Sequence, residues 1–162
     1  MMRTVQVLPL MMMLFFCSCG ESGQEEKMRS DLLAADRAFS ELSADRGMNH
    51  AFRTSCDENG VLLRPGSMPV EGKERIVALL NQRADSAFIL TWDPLFAAVS
   101  ASGELGYTYG TYEQMILETG TINRGTYLSV WRKGKGGWKF VLDTGNEGLG
   151  TGPTASWWHP DP

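Results

Sequence analysis

Residues 87–144 read AFILTWDPLFAAVS, ASG, ELGYTYGTYEQMIL, ETG, TINRGTYLSVWRK, GKGG and WKFVLDT, and this stretch decides the fold. Four runs at 87–100, 104–117, 126–133 and 138–144 are rich in β-branched and aromatic residues. Turn clusters part them at Ala101-Ser102-Gly103, Glu118-Thr119-Gly120 and Gly134 to Gly137. Connections this short turn each run back on its neighbour, so the reading predicts an antiparallel meander of four strands. Asp93-Pro94 lies inside the first run. Proline cannot donate to a regular central ladder, so a bulge or bend is expected there.

Upstream of this stretch the apolar period lengthens. Leu32, Ala35, Phe39 and Leu42 recur at three- and four-residue spacing, which predicts a helix from Lys27 to about Asp45, closed by Gly47. A second short helix is read over Met48 to Ser55, with Ala51 and Phe52 inward. Val61 to Arg64 reads as a short strand stopped by Pro65-Gly66, with a brief returning strand at Ser67 to Val70. A third helix follows over Lys73 to Arg83, carrying Ile76, Val77 and Leu80 on one face. Helices first and a meander after make an α+β layout, with helices on one face of a curved antiparallel sheet.

At the front, Met11 to Gly20 read MMMLFFCSCG. Arg3 gives a basic start, and Val5 to Phe16 form an apolar core of about a dozen residues, the length of a secretory signal and too short to span a bilayer. Ser18 and Cys19 resemble the cleavage site of a bacterial lipoprotein signal, in which the cysteine is acylated. Residues 1–18 are therefore read as a signal peptide, 19–26 as lipidated Cys19 with a polar tether, 27–146 as the domain and 147–162 as a C-terminal tail. The expected location is the cell envelope, with membrane contact through the anchor only. Multiple acylation would supply stable attachment, since one chain binds marginally.

The chain has 15 Lys and Arg against 19 Asp and Glu. Cleavage would remove Arg3 alone, so the mature protein stays acidic. With no basic stripe, nucleic-acid binding is not expected. Cys56 would be left without a partner, so no internal disulfide is expected and it reads as a small buried apolar residue. No phosphate-binding glycine loop, nucleophile elbow or metal-ligand cluster is present, and no cofactor is expected. His50, with no second ligand nearby, is a weak metal candidate.

Asp36 falls four after Leu32 and three before Phe39, on the helix face that meets the sheet. It reads either as half of an ion pair, with Arg64 as partner, or as a polar group at the bottom of a pocket. Tyr107 and Tyr109 share one side of their strand, and Tyr127 and Trp131 share a side of the next. With Trp92 at the bend, these rings could line a ligand pocket, although a core or dimer contact is the better reading for any one of them. Asp143, at the end of the last run, completes the candidate set. Trp157-Trp158-His159 belong to the tail and read as a strip packed on the domain.

Several stretches resemble the SnoaL-like, ketosteroid isomerase-like superfamily, whose fold is shared with nuclear transport factor 2. They are Asp36 to Phe39, Val61 to Gly66, Glu71-Gly72-Lys73, Trp92-Asp93-Pro94, Gly106 to Gly110, Trp131-Arg132-Lys133, Trp138-Lys139 and Leu142 to Asn146. The resemblance implies a cone-like sheet wrapped around a long helix, with a cavity that is a ligand pocket, an active site, or filled. It also implies a homodimer through the outer sheet face. Isomerase chemistry needs a carboxylate base and a tyrosine donor, and the corresponding positions count to Leu63 and Ala38. Neither residue can exchange a proton or donate. Three readings stay open: a binding protein for a small, partly apolar molecule, an association module with a filled cavity, and a simple acid–base enzyme using Asp36 or His50.

Overall fold

A computed structural model describes residues 21–148. The signal peptide, Cys19 and the Trp157-Trp158-His159 segment lie outside the described residues. Helix α1 spans Glu21–Arg46 and α2 Met48–Ser55. Strands β1 (Cys56–Leu63) and β2 (Val70–Glu71) precede α3 (Lys73–Leu80). A single 3-10 turn at Asp85–Ala87 then leads to β3 (Phe88–Val99), β4 (Leu105–Ile116), β5 (Ile122–Gly134) and β6 (Gly137–Glu147).

The four meander strands pair antiparallel in sequence order, as their short turns require. The ladder shifts register between Pro94 and Phe96, where the proline interrupts β3. Beyond the meander, β1 joins β6 in parallel and β2 closes the far edge, in the order β2-β1-β6-β5-β4-β3. The sheet is thus mixed, and the expected antiparallel meander forms four of its six strands. Helix α1 begins at Glu21, so residues 21–26 of the segment read as a tether are helical. Strand β1 starts at Cys56, five residues before the apolar run that signalled it.

Leu32, Asp36, Phe39, Ser40 and Ser43 form the face of α1 buried against the sheet. Two of them complete the free edge of β3. Ser40 Oγ accepts from the Trp92 backbone N–H at 2.8 Å, and Ser43 Oγ donates to the Leu90 carbonyl at 2.7 Å. Groups that would leave the edge open to foreign strands are satisfied by the helix instead. Between α1 and α2, Gly47 takes φ +87°, and a side chain there would collide with Asp85. That closeness is useful, because Asp85 Oδ1 accepts from the Asn49 N–H at 3.0 Å and satisfies a donor at the start of α2.

The core lies between α1, α2 and the concave sheet face. Phe39, Phe52, Trp131 and Phe140 form an edge-and-stack cluster with centroids 4.9 to 6.3 Å apart. Cys56 is buried beside it with its thiol on the Asp57 carbonyl, and burial pushes that thiol up to about 12. It is an apolar filler, not a nucleophile.

Candidate functional site

The core does not fill the cone. A cavity of about 930 Å³ opens at the end where β1, the α3 turn and the start of β5 converge. Its inner wall is Phe39, Phe52, Leu62, Leu90 and Trp92, with Tyr127 and Asp143 as polar groups. Its mouth carries the exposed side chains of Arg64, Arg83, Asn123, Arg124 and Glu147. Of the residues picked from sequence, Arg64, Trp92 and Asp143 line this cavity.

Four picks do not. Tyr107 and Tyr109 point away from α1, onto the outer sheet face. There Phe96 lies 6.1 and 5.4 Å from their rings, and Tyr107, Leu105 and Leu95 are 40%, 47% and 58% exposed. Packing distance explains this. Helix α1 and the strands flanking β4 crowd its inward positions Gly106, Thr108 and Gly110, so these residues are small. A methyl on Gly106 would lie 2.6 Å from Leu32 Cδ2, and one on Gly110 2.9 Å from the Tyr127 ring. Trp131 points inward but is sealed in the core at 1% exposure, where its Nε1 donates to Thr108 Oγ1 at 2.9 Å.

Asp36 is the fourth correction. It is fully buried, and neither pairs with Arg64 nor reaches the cavity. Trp92 Nε1 donates to Oδ1 at 2.7 Å, Tyr127 Oη donates to Oδ2 at 2.7 Å, and the Thr108 hydroxyl also donates to it. Since Trp131 already gives its proton to Thr108, a chain of neutral donors runs from β5 and β4 into the helix. Burial raises the Asp36 carboxyl above its usual range, against the pull of those three hydrogen bonds. The same burial, with the Asp36 charge, raises the Tyr127 hydroxyl. This network fastens α1 to the sheet. On this helix Ala38 is exposed, and the inward positions are Asp36, Phe39 and Ser40. On β1 the register puts Leu62, opposite Asp143, on the cavity side of the ladder.

Asp143 differs from Asp36 in facing the cavity. Ser129 Oγ donates to Oδ2 at 2.6 Å, and Oδ1 has no partner among the described residues. Burial pushes its carboxyl up to about 6; the Ser129 hydrogen bond opposes this, the Asp36 charge adds to it and Arg64 again opposes it. A carboxyl of this kind changes charge close to neutral pH, inside a pocket. His50 lies on the exposed side of α2, away from the cavity. Among the described residues, no three His, Cys, Asp or Glu side chains converge as a metal site. The sequence reading missed Arg83, Arg124 and Tyr112 of the cavity lining. Tyr112 sits five after Tyr107, so strand alternation alone puts it on the opposite face.

This architecture has close counterparts among solved structures. A domain of unknown function with a cystatin-like fold from Nostoc punctiforme matches with a TM-score of 0.63 at 19% identity, over 75% of this chain and 80% of that one. The chain has the nuclear transport factor 2-like fold. A nuclear transport factor 2-like protein from Novosphingobium aromaticivorans matches with a TM-score of 0.57 at 19% identity, covering 80% of this chain and 86% of the other. A ketosteroid isomerase-like protein from Erwinia carotovora atroseptica gives 0.52 at 18%, over 80% and 97%. No protein-family model matches the sequence, and no curated protein matches it significantly. At these identities the likeness speaks for the fold, and the fold alone does not carry an activity.

Proposed function

We propose that this nuclear transport factor 2-like domain binds a small, partly apolar molecule in its cone cavity and releases it unchanged. The observation that carries the reading is the cavity itself: about 930 Å³, open to solvent, walled by Phe39, Phe52, Leu90 and Trp92, with the Asp143 carboxyl on its inner wall. Its size falls within the range of small-molecule sites, and its inner wall pairs apolar rings and leucines with placed polar groups, while its mouth is polar. A filled cavity, as the association reading requires, does not fit an opening of this size. Among acid–base roles, the geometry favours Asp143 over Asp36, whose oxygens are occupied by donors.

A thermal-shift screen of the full chain against neutral and charged aromatic and alicyclic compounds tests the binding reading. We expect one compound class to raise the unfolding midpoint by several degrees near saturation, since ligand at about 100 times its Kd adds about 2.7 kcal/mol. The rise should vanish in Leu90→Trp, which fills the cavity. Uniformly flat results across the panel would contradict the proposal. The sequence around Cys19 supports an envelope location for this binding protein. Cys19→Ser should move it from the membrane to the soluble fraction, and retention on membranes would remove the anchor from the account.

A further inference from the structure

We propose that the molecule taken by the cavity is a carboxylic acid with a flat apolar body, its carboxylate held at the mouth by Arg64. The inference rests on the binding reading above and names the ligand class for the same site. Three guanidinium groups reach the mouth from separate parts of the chain: Arg64 after β1, Arg83 after α3 and Arg124 on β5. Two are already engaged. Arg83 lies over the Phe88 ring, 4.2 Å from its centroid, and Arg124 Nε donates to Glu113 Oε1 at 2.7 Å. The Arg64 side chain makes no hydrogen bond or ion pair among the described residues, although its charge is felt by Asp143 and Tyr112.

A concentration of positive charge at this opening is not what the composition would give, since the whole chain carries net charge −4. One carboxylate, Glu147, shares the mouth with the three arginines. The orientation of the ligand follows from Asp143. Its carboxylate lies deeper and repels an anion placed at depth, so the acid group stays outside while the apolar body meets Phe39 and Trp92. A guanidinium presents a planar fork that matches a carboxylate with two parallel hydrogen bonds. With a single unengaged fork at the mouth, a monoanion is matched better than a doubly charged phosphate.

The test uses 2-naphthoate and its uncharged isostere 2-naphthamide, titrated into the full chain and followed by Trp fluorescence and calorimetry. The acid should bind about tenfold more tightly than the amide at low salt, and lose most of that advantage at high salt where exposed charges are screened. Arg64→Gln should bring the two compounds within a factor of about three, through weaker binding of the acid. Arg64 is exposed, so the variant should keep the parent's unfolding midpoint. If acid and amide bind the parent equally, or the preference survives in Arg64→Gln, the acid assignment is overturned while the cavity reading stands. An acid preference indifferent to salt would overturn it on the parent protein alone. If neither compound binds, the acid assignment falls, and the compound panel alone decides the cavity reading.

Discussion

Replacing Asp36 by alanine should cost about 3 kcal/mol of folding stability, because it strips the common acceptor from buried donors that each cost roughly 1–3 kcal/mol when left unpaired. Trp92 Nε1 and the Tyr127 hydroxyl, both 2.7 Å from the carboxylate, would lose their partner at once. The Thr108 hydroxyl would lose its acceptor as well. Relief from burying a carboxylate offsets part of this loss, which is why the sum is not larger. Against a typical total of about 5–15 kcal/mol, the loss is a large fraction. Asp36→Asn keeps an acceptor oxygen for one donor and should cost about half as much. Urea unfolding of the full chain measures both. A cost for the alanine variant within about 0.5 kcal/mol, ordinary for a solvated surface position, would contradict the network described.

Stability should rise, not fall, as the solution is acidified from pH 7.5 to 5. Asp143 is pushed up to about 6 in the folded protein from an ordinary 3.8. The native state therefore holds this proton more tightly than the unfolded chain, and stability grows as pH drops through that window. The gain is about 1.4 kcal/mol for each pH unit crossed between the folded and unfolded values. By pH 5 Asp143 alone should contribute about 1.4 kcal/mol on this slope. Asp36 acts in the same direction, its carboxyl being raised by burial. Lys27 holds Asp31, and Arg132 holds Asp57, below the usual carboxylate range; their stabilisation is lost only at lower pH. Denaturation midpoints across the range give the slope. Asp143→Asn should flatten it, and a parent protein that loses stability between pH 7.5 and 5 would refute the assignment.

Much of the architecture was legible because it is written in local chemistry. The turn clusters at 101–103, 118–120 and 134–137 set the meander, and Pro94 marked the irregularity that appears between Pro94 and Phe96. Helix α2 ends where the sequence reading put it. What escaped depends on distance. The parallel pairing of β1 with β6 joins residues about 80 positions apart, beyond any local pattern. The front turns of α1 were hidden because Glu and Gln suit both a solvated tether and a helix.

The candidate site was less legible than the fold, and β4 shows why. In Gly106-Tyr107-Thr108-Tyr109-Gly110 the alternation is plain, but alternation does not say which side is inside. Of the pocket, core and dimer-contact readings of Tyr107 and Tyr109, the pocket reading needed them inward, and Leu32 against Gly106 and the Tyr127 ring against Gly110 leave no room for them there. Asp36 was rightly placed on the face of α1 that meets the sheet, yet its partners are Trp92 and Tyr127, not Arg64. No spacing rule predicts that Arg64, Arg83 and Arg124 converge at one mouth, because the sheet order brings them together.

The most direct measurement of the cavity's role is a crystal structure of the protein soaked with 6-bromo-2-naphthoate, located by the anomalous signal of bromine. One bromine site is expected inside the cone against Phe39 and Trp92, with the carboxylate turned toward Arg64. A bromine site confined to the outer face at Phe96, Tyr107 and Tyr109, with the cone left empty, would contradict it.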